Sequence, residues 1–558
     1  MAAGSFLLAL HAHMPWVLGH GRWPHGESWL FEATAGVYLP LLRVVDSVHA
    51  AGACAPITLG LTPVLLEQLR APGFQQGFRA WLQARIQRAR ADQSDSSVAG
   101  LARWWSEQHE RLLAEFDALD GDIVGAFAEH AREGRIELLS SFATHGFAPL
   151  LKHDRAVRAQ LRVGLATSER HLGFRPSGIW LPECAFRPEG PWTAPVLGVE
   201  RERRGVDRIL DDEGVTHFFV DAHLVAGARA EGVVHGGTFE KVGWERAEQH
   251  PEQGWRSVLE PHRVGTHGGM SGVTAFARHP DVSEQVWSAD AGYPGDGRYL
   301  EFHKRRGEAG HRYWRVTSRD MGLGDKAPYE PAAVPAAVHA HAAHFSETVG
   351  ERISAWRNHT GRDGCLTAAF DAELFGHWWF EGPEFLRDVL LTLHHDPRVR
   401  VETAAARLAR VPPDKVAWLP TGTWGHGGDD RVWINHRTRW TWEALYRAED
   451  RFLGLLWRGR QPGAPAGVIA VLRDAARELL LMQASDWQFV IETGGAVDYG
   501  YRRFAVHLDR FEAMCALAED ALSGRPAAPV DQATRAAALA ASGDAFADLD
   551  LEAWLAPE

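Results

Sequence analysis

Residues 5–16 read SFLLALHAHMPW, a short apolar run followed at once by two histidines and a tryptophan. Six later runs have the same form, and helical stretches separate them. This alternation predicts a β/α architecture, in which functional residues lie at the carboxyl ends of the strands. The six runs are APITLGL near 55–61, RIELLSS before His145, SGIWLP before Glu183, THFFVDAH ending at His223, VTAFAR near 273–278 and CLTAAF before Asp371.

Two regions depart from this alternation and have the 3.6-residue periodicity of amphipathic helices. One contains LARWWSEQHERLLAEFDAL and the other WEALYRAEDRFLGLLW. We therefore predict an α/β barrel formed by residues 1–63 and 131–435, with a helical insertion at 64–130 and a C-terminal helical domain at 436–525. The Ala-rich, acidic tail at 526–558 is compatible with a short helix or with partial disorder.

The composition is that of a globular protein with an unusual amount of tryptophan. The 558 residues include 23 Trp but only 8 Tyr and 6 Met. A core does not require Trp, because each buried indole N–H needs a hydrogen-bond partner, whereas sugar rings stack on such flat apolar faces. GC-rich coding bias is the alternative explanation, although it would not single out Trp.

Several classes of partner are excluded by charge and patterning. The net charge of −13 argues against nucleic-acid binding, which needs clustered Lys and Arg. The four cysteines are widely spaced and form no CxxC pair, so we expect neither a disulfide framework nor a zinc ribbon. No window is apolar enough for a membrane span, and the N-terminus lacks the basic region of a signal peptide. These features favour a cytoplasmic protein, and its oligomeric state stays open, with a monomer compatible.

His11 and His13 are two residues apart at the end of the first strand, so their side chains project to the same side. Three interpretations are open at this point: a metal-binding pair, hydrogen-bond donors to a polar ligand, and two core histidines.

Glu183 and Asp371 are carboxylates at the ends of two predicted strands. Capping of a following helix is the alternative role, and it suits Asp371 better than Glu183. Two strand-end carboxylates with histidines and aromatic residues are the minimal equipment for glycoside chemistry. One carboxylate attacks the anomeric carbon, and the other, kept protonated, donates to the leaving oxygen.

Several segments together resemble glycoside hydrolase family 57, and within it the 1,4-α-glucan branching enzymes. The resemblance rests on HAHMPW, SFATHGFAPLL, GIWLPECAF and AAFDAELFGHWW in this order, and on GRWPHGESWLFEA, EQVWSADAGYPGDGRYLEFHK, GTWGHGGDDRVWIN and ASDWQF. It covers the chain to about residue 520. It implies an incomplete (β/α)7 barrel, catalysis without a metal or cofactor, and α-1,4-glucans such as amylose, glycogen-like polymers and maltooligosaccharides as substrates.

The resemblance also implies roles for individual residues. Glu183 matches the nucleophile and Asp371 the general acid/base of a retaining mechanism, which requires carboxyl groups about 5–5.5 Å apart. Asp486 matches a residue that reaches the active site from the C-terminal helical domain. The remaining substrate-binding positions are His11, His13, Trp29, His145, Trp287, Trp378, Trp424 and Trp433.

One feature departs from the branching-enzyme pattern. Those enzymes present a tyrosine over the cleft from a loop after the third region, whereas residues 221–272 contain no Tyr. Trp244 and Trp255 are the candidate replacements. An α-amylase or a 4-α-glucanotransferase on the same scaffold is therefore the alternative function. Two further hypotheses are a zinc hydrolase using the His-x-His pair and a glucan-binding protein on a decayed barrel.

Overall fold

The computed structural model describes residues 2–235, 238–241, 255–267, 269–288, 291–542 and 545–555. Its strands and helices are numbered in chain order, counting only this part of the chain. The strands are β1 Gly4–Ala12, β2 Ile57–Leu61, β3 Ile136–Leu139, β4 Gly190–Thr193, β5 Glu200–Arg203, β6 His217–Val220, β7 Arg229–His235, β8 Thr238–Lys241, β9 His262–Thr266, β10 Gly269–Ala277, β11 Gly364–Asp371, β12 Val399–Val401 and β13 Lys415–Trp418.

Six of these strands and one irregular segment form a closed parallel barrel. The order around the ring is β1, β2, β3, the segment at 178–179, β6, β10 and β11, which pairs with β1 again. The irregular segment joins its neighbours through the bridges Ser140–Ile179 and Gly178–His217, and Arg278–Thr367 closes the ring. The order around the barrel is thus the order along the chain. The predicted seven-membered (β/α) barrel is confirmed.

The fourth barrel segment is only partly regular for a steric reason. A Cβ atom on Gly178 would lie 2.1 Å from Nε2 of the buried His217 side chain, so only glycine permits this close approach. Pro182 follows soon after and cannot donate a ladder hydrogen bond. The chain therefore leaves the barrel wall after a very short contact and turns into the segment that carries Glu183.

The helices fall into three groups. The barrel helices are α1 Glu27–Ala33, α2 Leu39–Ala50, α7 Asp154–Leu172, α8 Val206–Asp212, α9 Ala222–Ala226, α10 Pro280–Trp287, α11 Val334–Thr360, α12 Gly382–His395 and α13 Ala404–Arg410. The helices inserted after β2 are α3 Pro63–Arg70, α4 Pro72–Asp92, α5 Ala99–Ala118 and α6 Ile123–Arg132. The C-terminal helices are α14 Arg439–Gly459, α15 Val468–Met482, α16 Asp486–Thr493, α17 Val497–Leu522 and α18 Pro529–Ser542.

The tail is packed onto the rest of the molecule. After α18, the side chains of Phe546 and Trp554 are buried, and Trp554 makes an edge-on contact with Phe452 of α14. The backbone N–H of Phe546 donates to the Glu67 carboxylate of α3 at 3.1 Å. Residues near the C-terminus thus contact both the insertion and the C-terminal helices. Among the described residues, no helix is both long and apolar enough to cross a membrane.

Candidate active site

A cavity of about 880 Å³ opens at the carboxyl ends of the barrel strands. All eleven side chains that the sequence nominated line this cavity. They are His11, His13, Trp29, His145, Glu183, Trp287, Asp371, Trp378, Trp424, Trp433 and Asp486. Its wall also contains groups that were not nominated, including Arg278, Asp221, Glu373 and Phe489.

Glu183 is held in a strained backbone conformation. Its φ of 60° and ψ of 22° are left-handed, and φ is also positive at the next residue, Cys184. Such a conformation costs a non-glycine residue about 1–3 kcal/mol and persists only where neighbouring contacts enforce it. Here the enforcing contacts come from residues 422–424, since the backbone N–H of Trp424 donates to the Glu183 carbonyl at 3.1 Å and Phe186 pairs with Gly422.

Both oxygens of the Glu183 carboxylate accept a hydrogen bond. Nε1–H of Trp424 donates to Oε2 at 3.0 Å, and the hydroxyl of Ser485 donates to Oε1 at 3.0 Å. Ser485 is buried and directly precedes α16. Sequence reasoning missed Ser485, although it belongs to the ASDWQF motif that nominated its neighbour Asp486.

Asp371 has a contrasting environment. Its side chain makes no capping hydrogen bond to the 3₁₀ turn that follows it, so the helix-capping alternative is wrong. Burial, followed by the charges of Glu373 and Glu183, raises the pKa of Asp371 well above its usual value, and Arg278 offsets this only in part. Burial also raises the pKa of Glu183, to about 7, but the hydrogen bonds from Trp424 and Ser485 oppose the rise. The two carboxyl groups therefore differ in acidity, and Asp371 keeps its proton more readily than Glu183 does.

Arg278 is already neutralised by another residue. Its guanidinium donates to both oxygens of Asp221, at 3.2 and 2.7 Å, and lies 5.5 Å from the Trp424 ring centre. Asp371 therefore has no ion-pair partner among the described residues.

A chain of hydrogen bonds leads from His11 to Glu183. Nε2 of His11 lies 3.0 Å from Nε2 of His145, whose Nδ1 lies 2.9 Å from the Ser485 hydroxyl. Burial and the neighbouring imidazoles, His13 above all, lower the pKa of His11 and His145 well below the usual value, so both are neutral. If every group in this chain donates in the direction of Glu183, each hydrogen bond has one donor and one acceptor. Nδ1 of His11 then carries no proton and is an acceptor. Nδ1 of His11 is buried and has no hydrogen-bond partner in the part of the chain that the structure describes.

His13 differs from the other two histidines because its pKa is raised instead of lowered. Its Nε2 lies 3.0 Å from both oxygens of Asp486, and its Nδ1 lies 3.0 Å from the Thr62 hydroxyl. Burial by itself lowers the pKa of His13, but Asp486 and then the Glu373 and Glu183 carboxylates outweigh burial and raise it. The sequence placed His13 and Asp486 in the site separately, and the structure joins them as an ion pair.

Glu373 links this pair to the helix layer. Its Oε1 accepts from the backbone N–H of His13 at 3.1 Å and from the hydroxyl of Tyr38 at 2.7 Å. Tyr38 ends a π-helical turn, Thr34–Tyr38, between α1 and α2. Such turns re-aim a side chain within a helix and are common at functional sites. Nothing in the local sequence around Tyr38 signals this contact.

His13, His145 and Asp486 bring potential metal-ligand atoms within 4.8 Å of one another. A metal ion would require neutral histidines, whereas Asp486 is already paired with His13 and favours its protonated form. These side chains satisfy one another through hydrogen bonds, so the geometry does not require a metal.

The aromatic residues of the cavity differ in exposure. Trp378 and Trp287 are 52% and 42% exposed and offer open faces. Trp433 is fully buried and stacks on Phe147, so it supports the wall from behind. The AAFDAELFGHWW motif predicts that Trp379 stacks on sugar together with Trp378. This prediction is wrong, because Trp379 is buried and packs against Phe385.

Three other tryptophans can be assigned or set aside. The amphipathic stretch WEALYRAEDRFLGLLW predicts that Trp457 packs inside a helical layer, but this prediction is wrong, since Trp457 is 66% exposed. Trp255 lies in a small separate cluster with Ala230 and Val233 and does not line the cavity. Trp244, the other candidate for the lid, lies outside the described residues.

Family models match almost the whole chain. The model described as glycosyl hydrolase family 57 matches residues 7–420, and the model described as 1,4-alpha-glucan branching enzyme, C-terminal, matches residues 444–554. The second match extends through the tail, which agrees with the packing of Phe546 and Trp554.

Individual proteins are similar over nearly the same length. The chain is 38% identical over 506 residues to the 1,4-alpha-glucan branching enzyme TK1436 of Thermococcus kodakarensis, covering 90% of this chain and 72% of that protein. The crystal structure of the GH57-type branching enzyme from Pyrococcus horikoshii has a TM-score of 0.89 and 33% identity, covering 100% of this chain and 97% of the other. The alpha-amylase AmyC from Thermotoga maritima has a TM-score of 0.82 and 28% identity, covering 100% and 99%.

Proposed function

The chain belongs to glycosyl hydrolase family 57, and we propose that it is a 1,4-α-glucan branching enzyme. It cleaves an α-1,4-glucosidic bond and transfers the released chain to a 6-hydroxyl of glucose. The proposed chemistry rests on one observation: Glu183 and Asp371 face the same cavity but have different surroundings. Glu183 is an ionisable carboxylate that accepts two hydrogen bonds, whereas Asp371 is a carboxyl group that keeps its proton.

In the first step Asp371 acts as the acid and Glu183 as the nucleophile. A carboxylate oxygen of Glu183 attacks the anomeric carbon and forms a β-glycosyl ester, while the bond from that carbon to the glycosidic oxygen breaks. Asp371 gives its proton to the departing oxygen. In the second step Asp371, now ionised, takes the proton of an acceptor 6-hydroxyl, whose oxygen attacks the anomeric carbon and releases Glu183.

The histidines and Asp486 bind the sugar that is being transferred. Protonated His13 is a donor held by Asp486, whereas neutral His11 and His145 can each accept as well as donate. This combination of donors and acceptors suits sugar hydroxyls, which both donate and accept hydrogen bonds. The exposed faces of Trp378 and Trp287 extend the site along the glucan by stacking.

Branching rather than hydrolysis is favoured by the comparisons. The family model that matches the C-terminal region is described as that of 1,4-alpha-glucan branching enzymes, and the branching enzyme of Pyrococcus horikoshii superposes with a higher TM-score than AmyC does. The cavity also has an apolar rim on α16, where Phe489 is 43% exposed, and such a rim disfavours water at the acceptor position.

The linkage test is direct. Amylose is incubated with the enzyme, and the product is analysed by proton NMR for α-1,6 signals and by chain-length profiling after debranching. We expect new α-1,6 linkages with little rise in reducing ends, and no change with Glu183→Gln. Reducing ends that rise without α-1,6 linkages would indicate the α-amylase alternative, and longer linear chains alone the 4-α-glucanotransferase.

The two carboxyl roles are separated by azide rescue with an α-maltosyl fluoride donor. Azide should react with Glu183→Ala by direct displacement and give a β-glycosyl azide. It should intercept the ester intermediate of Asp371→Ala and give the α-anomer. The opposite pair of products would reverse the assignment. A retaining mechanism also predicts a Glu183–Asp371 carboxyl separation of about 5–5.5 Å.

The physiological setting follows from the same proposal. A glycogen-type polymer is the expected substrate, and the cytoplasm the expected compartment, since all four cysteines are free thiols. A monomer is compatible with the sequence, and light scattering would establish the oligomeric state.

A further inference from the structure

A second cavity of about 400 Å³ lies between the inserted helices α4 and α5 and the barrel helices α1 and α12. It shares no lining residue with the active-site cavity. Its volume is within the range of about 300–1,000 Å³ that is usual for small-ligand sites. The proposed transferase reaction gives this cavity no role.

One end of the cavity carries more positive than negative charge. Arg305 pairs with Glu32 through two hydrogen bonds of 3.0 and 2.9 Å. Arg85 and Arg312, which line the same end, have no carboxylate within 4.0 Å among the described residues. Arg85 donates to the carbonyl of Ala309. Within the described part of the chain, the guanidinium of Arg312 donates one long hydrogen bond, of 3.5 Å, to the carbonyl of His377.

These two guanidinium groups are also desolvated. Both side chains are half-buried, and Nε of Arg85 is fully buried with no hydrogen-bond partner among the described residues. Burial lowers the pKa of Arg85 and of Arg312 to about 10. The charge of Arg305 adds to this effect at Arg312, whereas at Arg85 the largest electrostatic effect is that of Glu32, which opposes it. Desolvated arginines that lack a counter-charge bind anions strongly, because the guanidinium fork matches phosphate and carboxylate oxygens.

The middle of the cavity is aromatic. Trp81, Trp104 and Trp105 line it together with Phe380, whose ring centre lies 5.8 Å from Trp104 and 5.4 Å from Trp105. Aromatic walls of this kind accept the apolar face of a sugar ring. A bare inorganic anion would make no use of them.

The cavity also offers an oxygen acceptor. Oε1 of Glu381 accepts from the backbone N–H of Leu300 at 3.0 Å and from the Tyr329 hydroxyl at 2.7 Å. Its Oε2 is buried and has no partner in the described part of the chain. Asp388 also lines the cavity, but it is already paired with Arg387. Oε2 of Glu381 is therefore the acceptor for a sugar hydroxyl, which is a donor.

We propose that this cavity binds a phosphorylated monosaccharide. The phosphate lies between Arg85 and Arg312, the ring packs on the tryptophan wall, and the hydroxyls donate to Glu381. The active site is a poor competitor for such an anion, because its Arg278 is already paired with Asp221.

The test is isothermal titration of the full-length protein with glucose 6-phosphate and glucose 1-phosphate, against glucose and inorganic phosphate. The active site is kept occupied by running the titrations on Glu183→Gln in saturating maltoheptaose. We expect at least one sugar phosphate to bind at least tenfold more tightly than either glucose or inorganic phosphate. Arg85→Gln and Arg312→Gln, each combined with Glu183→Gln, should weaken that binding at least tenfold.

Arg103→Gln is the matched control. It removes one positive charge from an exposed position of the same insertion that does not line the cavity, so binding should be unchanged. Thermal unfolding of each variant checks that the fold is intact, and a sugar phosphate should raise the transition temperature of the parent but not of Arg85→Gln. The proposal is overturned if neither sugar phosphate releases or absorbs heat, if inorganic phosphate binds as tightly as they do, or if the cavity variants bind like Arg103→Gln. These outcomes do not depend on whether the enzyme branches glucan.

Discussion

Trp424 holds Glu183 at two points, through its backbone N–H on the Glu183 carbonyl at 3.1 Å and through its indole N–H on Oε2 at 3.0 Å. The first contact helps to keep the strained backbone of Glu183, and the second orients and stabilises its carboxylate. One residue therefore determines both where the nucleophile is and how acidic it is.

Trp424→Phe should keep the backbone contact and most of the aromatic face while removing the indole donor. A hydrogen bond to a charged group contributes about 1.5–3 kcal/mol, so we expect a roughly 10- to 100-fold loss of kcat/KM. Losing a donor to the ionised form raises the pKa of Glu183, so the acid limb of the pH profile should move to higher pH. Trp287→Phe is the comparison: it should change KM and leave the acid limb in place.

The wild-type pH profile should be bell-shaped. Glu183 must be ionised to attack, so kcat/KM for a maltooligosaccharide donor should fall as pH drops below about 7. Asp371 must be protonated, so activity should fall again only at distinctly higher pH. Glu373→Gln removes a charge that raises the pKa of Asp371 and should therefore move the basic limb to lower pH. A basic limb that does not respond would contradict the assignment of Asp371 as the acid.

Ser485→Ala should uncouple Glu183 from the histidine chain. We expect kcat to fall roughly tenfold, in line with the loss of one hydrogen bond to a carboxylate. The acid limb should shift to higher pH, because the lost donor favours the ionised form. Ser168→Ala removes another buried hydroxyl, bonded to Ser140 away from the cavity, and should alter neither quantity. An unshifted acid limb in Ser485→Ala would mean that the serine only packs.

Much of this arrangement could be predicted from the sequence, because the same pattern, an apolar run followed by polar residues, recurs at the strands of the barrel. Each apolar run identifies a barrel strand, and the polar residues after it are brought to one face by the parallel order alone. Glu183, Asp371 and His145 could therefore be nominated without coordinates. The sequence did not indicate contacts that depend on how separate elements pack, such as Tyr38 to Glu373, Ser485 to Glu183, and the second cavity.

Exposure was predicted less well than position. Trp378 and Trp379 are adjacent, yet one is open to the cavity and the other is buried, because a turn after β11 separates their directions. Helical periodicity likewise placed Trp457 in a packed layer, but it lies at the solvent side near the end of α14. Tertiary contacts determine whether such side chains are exposed or buried.

Metal removal should have no effect. His13, His145 and Asp486 have the atoms of a metal site, but His13 carries a proton that pairs with Asp486. We expect the enzyme to keep full activity after dialysis against a chelator. Added zinc should inhibit, because it would compete for the imidazoles that bind sugar. Activity that disappears on dialysis and returns with zinc would establish a metal requirement.

The packed tail predicts a stability difference between two tryptophans. Trp554→Ala should lower the free energy of unfolding by about 3–5 kcal/mol, since it empties a buried site against Phe452. Trp457→Ala, at an exposed position of the same helical region, should change it by no more than about 0.5 kcal/mol. Urea denaturation followed by circular dichroism measures both. Equal effects of the two substitutions would mean that the tail is not part of the folded body.

Ser485 and Asp486 come more than a hundred residues after the last strand of the barrel, and they hold the nucleophile and the charged histidine in place. A nascent chain on the ribosome that has released the last barrel strand still lacks both residues, so Glu183 lacks its Ser485 donor and His13 lacks its Asp486 partner. Catalytic competence thus arrives late in synthesis. Unfinished chains, and fragments cut between β11 and α16, have an incomplete site.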